Sequence, residues 1–164
     1  MAGARYTIEF DGTLASNALS RAMALLGDIT PIMRDYGEYL LISHRDRFER
    51  QVSPAGKPWA PLSPEYQAQK KKNASRILVL EGFLAGTLRY NAGPDGLEFG
   101  TNRPYGAVMQ YGAAQGVFGR TRRGGPIPRG DIPARPWLGH SAADDRELVD
   151  ITQDHLQIAI DAKP

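Results

Sequence analysis

A chain of 164 residues with 41% apolar content is long enough for one continuous core, and Gly 18 with Pro 12 implies many turns without collagen-like order or wholesale disorder. The lack of cysteine excludes a disulfide framework and any thiolate metal site, and a reducing cytoplasm is the easiest compartment to fit. No run approaches the ~18 apolar residues that a membrane span needs, and no apolar segment follows Arg5 as in an export signal, so a soluble protein without a membrane partner is expected. The net charge of +2 is modest, but its distribution is not even. Arg120, Arg122, Arg123, Arg129 and Arg135 face one acid, Asp131, whereas Asp144, Asp145, Glu147, Asp150 and Asp154 face Arg146 alone. Such a basic arm and acidic helix can pair within one subunit or between copies.

In chain order, alternation predicts a short strand over Arg5 to Phe10, ending at the turn Asp11-Gly12. A helix follows over Leu14 to Leu26, with Leu14, Ala18, Ala22 and Leu25 on one side and Gly27 as its stop. Thr30-Pro31 is a second start, with Thr30 as the cap. From Pro31 to about Val52, Met33, Tyr36, Leu40, His44 and Phe48 share a face opposite a charged one, which makes this the main core helix. Five prolines and glycines exclude regular structure from Ser53 to Pro64. Ser63-Pro64-x-x-Gln67 reads as a capped helix start, and Ile77 to Leu80 either continues that helix or begins another. Leu88 to Tyr90 and Leu97 to Phe99 flank a turn as a hairpin, and Tyr105 to Tyr111 reads as a short helix closed by Gly112. Ser141 caps a last helix, with Asp144 near its positive end and Leu148, Ile151, His155, Leu156 and Ala159 facing the core. There is no internal repeat. The expectation is a single α+β domain over residues 1–164, mostly helical, with a small antiparallel sheet and a flexible Gly/Arg/Pro-rich arm at about 113–135.

The residues give little support for catalysis or for a cofactor. None of His44, His140 and His155 has an i+3 or i+4 His, Asp or Glu partner on the same face in the manner of a metal-binding helix, so satisfied structural histidines are expected. A nucleophile elbow and a cysteine nucleophile are both missing, and the glycines Gly112, Gly116 and Gly119 lack the Lys-Ser/Thr ending of a phosphate loop. Asp144 and Asp145 point about 100° apart on a helix, which suits a dipole more than an acid pair.

Lys70-Lys71-Lys72 reads as a solvated helix end. The arginines of the arm are interleaved with Gly and Pro, which keeps them exposed, and they suit either an acidic neighbour or a DNA backbone; a plain solvent loop is the other reading. Trp59 and Trp137 sit among prolines in extended segments. Each is either a buried indole pinning its own loop or an anchor filling a pocket on a neighbouring subunit.

One ordered set of blocks resembles a known family. The set comprises Arg45-Asp46-Arg47-Phe48, then Gly56-Lys57-Pro58-Trp59-Ala60-Pro61-Leu62-Ser63, then Leu80-Glu81-Gly82-Phe83-Leu84 as a loose match. Tyr105-Gly106-Ala107-Val108-Met109-Gln110-Tyr111-Gly112 follows, and Ile132-Pro133-Ala134-Arg135-Pro136-Trp137-Leu138-Gly139 ends it. In this the chain is similar to the phage virion morphogenesis family, the tail completion proteins of Mu-like and P2-like phages. The resemblance implies a structural virion protein without catalysis or cofactor, finishing the tail or joining it to the head. It implies a homo-oligomeric ring, sixfold to match the tail tube, at the neck of the virion, assembled in the host cytoplasm. Its partners are then further copies of itself, the tail tube protein and head-tail connector proteins, with DNA in passing contact. On this view Trp59, Arg120, Arg122, Arg123, Arg129, Arg135 and Trp137 form the assembly interface. A small nucleic-acid-binding protein using the basic arm is the alternative, and a cell-wall hydrolase is the weakest of the three readings.

Overall fold

The structure, a computed structural model, describes residues 13–162, so the strand expected over Arg5 to Phe10 lies outside them. Six helices and one two-stranded sheet follow among the described residues: α1 (Thr13–Gly27), α2 (Thr30–Arg50), α3 (Pro64–Gln69), α4 (Phe83–Gly86), β1 (Leu88–Gly93), β2 (Gly96–Thr101), α5 (Tyr105–Tyr111) and α6 (Ala142–Asp161). This is the α+β class that the sequence predicts.

The long α2 is the element on which the others are laid. Its residues Ile32, Tyr36, Leu40, His44 and Phe48 are buried at helical spacing, so the expected face is right except that Ile32 takes the place given to Met33. Its first amide is capped from outside: Asp28 Oδ1 accepts from the Thr30 N–H at 3.0 Å, and Thr30 itself does not cap. At its other end Gln51 turns left-handed (φ 58°) and closes the helix.

Two faces of α2 carry the two halves of the fold. Gly37, Glu38 and His44 meet the hairpin: Tyr90 Oη donates to Glu38 Oε1 at 2.7 Å, and the His44 ring lies 4.5 Å from that of Phe99. The hairpin is longer than its sequence shows, running in register from Leu88↔Thr101 to Gly93↔Gly96 around Pro94-Asp95. Asp35, Ser43 and Arg47 meet α6 instead, where His155 Nε2 reaches Asp35 at 2.8 Å and Ser43 donates to Asp144 at 2.6 Å. The expected inner face of α6 is half-buried throughout, and its one fully buried side chain is Asp144. Packed on α6, α1 uses Ala18, Ala22 and Leu25 as expected, and Arg21 donates to the carbonyls of Ala159 and Ile160, where a helix end exposes negative charge.

Beyond the end of α2 lies the hydrophobic cluster of Phe48, Trp59, Val79, Leu84, Leu88 and Trp137. Residues 70–82 feed Val79 into it as successive turns, so neither helix expected around Ile77 to Leu80 forms; Leu78 adopts a left-handed φ of 57°, which helices exclude. Lys70 is not the solvated end that its tract implied. Its ammonium donates to the carbonyls of Asn73 (2.7 Å) and Arg76 (2.5 Å), clamping these turns, while Lys72 pairs with Glu81 at 3.0 Å.

Gly37 shows how tightly the hairpin lies on α2. A Cβ there would come within 2.4 Å of the Tyr90 ring. Alanine is the better helix former by about 1 kcal/mol, yet Gly37→Ala is expected to destabilise the protein by roughly 1–3 kcal/mol, the usual cost of overpacking. Urea unfolding measures this, and a gain in stability would show that the sheet can shift off the helix.

Candidate assembly surface

Two segments without regular structure, residues 53–63 and 132–139, are stitched to each other and to the elements around them. Trp59 Nε1 donates to the Pro136 carbonyl at 2.7 Å, and Arg135 spreads its guanidinium across the carbonyls of Ala60 (2.7 Å) and Pro61 (2.9 Å). Gln110 on α5 accepts from the amides of Trp137 and Leu138 at 2.9 Å each and donates to the Leu138 carbonyl. Trp137 Nε1 reaches the Gly106 carbonyl at 3.0 Å, and both indoles flank Phe48, with centroids 5.3 and 6.2 Å from it. Chains that lack secondary structure leave backbone groups to be satisfied by side chains, and these four residues do that here.

Arg47, at the end of α2, completes the knot. It is buried, forms an ion pair with the fully buried Asp144, and donates to the Gly139 carbonyl at 2.5 Å and to Ser43 Oγ at 3.0 Å. Asp144 also accepts from the Ser141 amide at 2.6 Å while Ser141 Oγ accepts from the Asp144 amide, a reciprocal capping box that starts α6. Burial would raise the Asp144 carboxyl, but hydrogen bonds from Ser43 and Ser141 and the Arg47 charge outweigh it and hold it at about 2. Neighbouring His44 is pushed down to about 4 by burial first and by the Arg47 charge second. Its Nδ1 faces the Leu40 carbonyl at 2.8 Å, which places the proton there and leaves Nε2 to accept from Arg47. His140 and His155 likewise find partners within the chain, against Tyr36 and Asp145 and against Asp35.

The segment 113–135, the Gly/Arg/Pro-rich arm, carries cross-strand hydrogen bonds that its composition does not announce. It rises as an irregular hairpin from a bridge between Ala113 and Ile132, with Gly116 N–H on the Pro128 carbonyl, Phe118 N–H on that of Ile127, and Ile127 N–H on that of Gly119. A bridge between Arg120 and Pro126 leads to the tip, and the Ile127–Pro128 peptide is cis. At the root Gly112 has a φ of 78°, and a Cβ there would lie 2.6 Å from the Ile132 carbonyl oxygen, so the strands of the hairpin leave the body at a fixed, glycine-dependent point. Gln115 ties the flank by donating to Asp131 and to the Arg129 carbonyl.

The seven residues expected at an assembly interface therefore separate into two groups. Trp59, Trp137 and Arg135 are buried in their own subunit, where each fills a site of that chain, as in the reading of the indoles that pin their own loops. Arg120, Arg122, Arg123 and Arg129 are exposed on the hairpin. Among the described residues no ion pair joins them to the acids of α6, which removes the pairing within one subunit from the two options.

Beside the root of the hairpin lies an open groove of about 1150 Å³. Its walls are the 61–66 segment, the turns and helix at 78–84, Tyr105 and Met109 of α5, and Arg129 to Pro133 of the hairpin. Leu80, Phe83 and Tyr105 are exposed there, with Arg103 stacked 5.0 Å over the Phe83 ring. The sequence did not single out this groove, because exposed and buried apolar residues look alike in a segment without periodicity. Among the described residues there is no cluster of His, Asp and Glu that fits a metal ion, and no helix is long and apolar enough to cross a membrane.

The blocks that meet in this knot are the ones that carry the chain's resemblance to a class of proteins that build phage particles. The chain belongs to the phage virion morphogenesis family, whose model matches residues 10–157. It is 30% identical over 146 residues to the putative capsid assembly protein G of Escherichia phage Mu, covering 85% of this chain and 88% of that one. It is 27% identical over 146 residues to the Mu-like prophage FluMu G protein 2 of Haemophilus influenzae, covering 88% and 91%. No solved structure matches the chain at a significant level.

The buried pair makes the subunit acid-sensitive in two stages. His44 and Asp144 both have folded-state values below their ordinary ones of about 6.5 and 3.9. The unfolded chain therefore binds protons that the folded chain refuses, and stability falls as pH drops, first from about 6.5 to 4 and then from about 4 to 2. Each stage is worth on the order of 2–3 kcal/mol. Urea midpoints from pH 7 to 2 should show both, with His44→Gln lacking the upper stage. Asp144→Asn should lose roughly 3–5 kcal/mol at pH 7, since Arg47 is left buried without its counter-charge. A flat profile between pH 6.5 and 4 would contradict this account of His44.

Proposed function

We propose that this protein is a structural component of a phage virion that completes the tail or joins it to the head at the neck. It works there as a homo-oligomeric ring, a hexamer matched to the tail tube, and it catalyses nothing. Its partners are further copies of itself, the tail tube protein and the head-tail connector, and it is made in the host cytoplasm before joining the particle. The observation that carries the reading is the projecting hairpin: four exposed arginines on a backbone held by its own hydrogen bonds, with no ion pair to a carboxylate among the described residues. A surface of that kind belongs to an assembling subunit, whose complement lies on another molecule. The phage Mu relative carries a name in capsid assembly, and the neck is where a capsid and a tail meet.

Electron microscopy of lysates from a phage with an early stop codon in this gene tests the reading. Full heads beside separate tails, or tails of abnormal length, are expected. An absence of heads would place the protein in capsid construction, and normal joined virions would remove it from assembly. Reversing two charges at the hairpin tip, Arg122→Glu with Arg123→Glu, should leave the thermal midpoint unchanged and lower infectious yield by roughly tenfold or more, the effect of about 1.4 kcal/mol at one contact. Unchanged yield would deny the tip a contact role.

A second reading rests on the same arginines. They suit a DNA backbone, and the hairpin then grips nucleic acid, binding a labelled duplex at low salt and releasing it steeply as salt rises. No shift of the duplex at low salt ends that reading.

A further inference from the structure

We propose that the hairpin of one copy docks into the groove of the next copy, so that the subunits join head to tail. The inference rests on the ring reading and names the contact that would build it. Two complementary surfaces on the same chain carry it. The groove presents Leu80, Phe83 and Tyr105 to solvent, 45%, 55% and 41% exposed. Of the charged groups on its wall, Lys70 and Arg135 donate to backbone carbonyls of their own chain and Glu81 pairs with Lys72, which leaves the acids Glu65 and Asp131 without an ion pair among the described residues, beside the exposed Arg129. Contiguous apolar surface rimmed by polar groups marks a contact site, where scattered apolar residues do not. The hairpin presents the opposite pattern: Val117 and Phe118, 60% and 56% exposed, lie next to the cations Arg120, Arg122 and Arg123.

Size and geometry select a polypeptide occupant from another copy. At about 1150 Å³ the open groove lies at the upper edge of the roughly 300–1,000 Å³ of small-molecule sites and has room for the tip of a polypeptide loop. The hairpin cannot be its own occupant as folded: Arg129 to Pro133 at its root form one groove wall, but residues 116–127 contribute nothing to the lining. Its cross-strand hydrogen bonds hold it as a hairpin whose tip stays outside the groove lining. The acidic face of a neighbour's α6 would supply charge for the arginines, but a helix face offers no concavity for Phe118, so the groove is the better fit. Because the two patches differ and sit on one chain, the contact is heterologous, and repetition gives a ring if the rotation closes and a filament if it does not.

The chain contains no cysteine, so single thiols can report the contact without a background. Purified Phe118→Cys mixed with Leu80→Cys is expected to give a disulfide-linked dimer under mild oxidation as the dominant cross-linked species. Phe118→Cys mixed with Asp150→Cys, a position exposed on α6, is expected to give none. All three sites are exposed, and unchanged thermal melts of each variant confirm its fold. As an independent measurement, Phe118→Asp should sediment as a monomer at concentrations where the wild type associates. The proposal is overturned if the first mixture gives no 80–118 cross-link, or if cross-links to 118 or 150 dominate. If that happens while the wild type still sediments as a closed oligomer, the ring reading stands and only this contact falls. A chain with both Phe118→Cys and Leu80→Cys separates the opposite case: a ladder that stops at a closed species supports both, and one that extends without limit keeps the contact and removes the ring.

Discussion

A guanidinium and a carboxylate taken out of water cost more to desolvate than one Coulombic contact returns, so a buried ion pair persists only where the surrounding groups satisfy the remaining donors and acceptors. Arg47 and Asp144 meet that condition. Ser43 bridges the two, accepting from one and donating to the other, and the Gly139 carbonyl and Ser141 amide take up further capacity. The pair therefore joins three parts of the chain at once: the end of α2, the segment entering α6, and the first turn of α6 itself. Removing either charge would leave the other stranded, and the direction of α6 across α2 would lose what fixes it. Hydrophobic packing alone would not do so, since the face that α6 turns inward is only half-buried.

What could be read from the sequence follows from how local each signal is. The buried face of α2 repeats every three to four residues within one helix, and Ser141 with Asp144 is a cap three residues long, so both were visible. The partner of Asp144 stands 97 residues earlier in the chain, and no local pattern announces it; read locally, Asp144 is only an acid at a helix start. The same limit applies to the arm. Its glycines, arginines and prolines have the composition of a mobile loop, and composition is blind to the backbone hydrogen bonds between residues 116–119 and 127–128 that pair its two sides. Lys70 was misread for a related reason, since a lysine in a triple-lysine tract looks solvated until the carbonyls of a left-handed turn at Asn73 come round to meet it.

The family's blocks have a single physical meaning once their positions are known. Arg47 and Phe48, Trp59, Leu84, Gly106 with Gln110, and Arg135 to Gly139 come from five separated stretches and converge on one knot, in which side chains satisfy the backbone of irregular segments. Tryptophan and arginine suggested contact surfaces because these residue types dominate interfaces. They serve equally well inside a subunit that has long irregular segments to hold, and here Trp59, Trp137 and Arg135 are used in that way. The arginines of the hairpin and the apolar rim of the groove are among the residues free to meet another molecule, and these fall outside the knot.

Such a division suits an assembling subunit. A closed ring requires a fixed angle between the surface a subunit offers and the surface it receives with, because an error at one contact is repeated at every other and the ring fails to close. The root of the hairpin and one wall of the groove are the same residues, Arg129 to Pro133, and Arg135 with Gly112 binds that stretch to the 60–61 segment and to α5. On the proposed contact the two surfaces therefore share one junction, and the hydrogen bonds spent on irregular backbone are what would hold its angle.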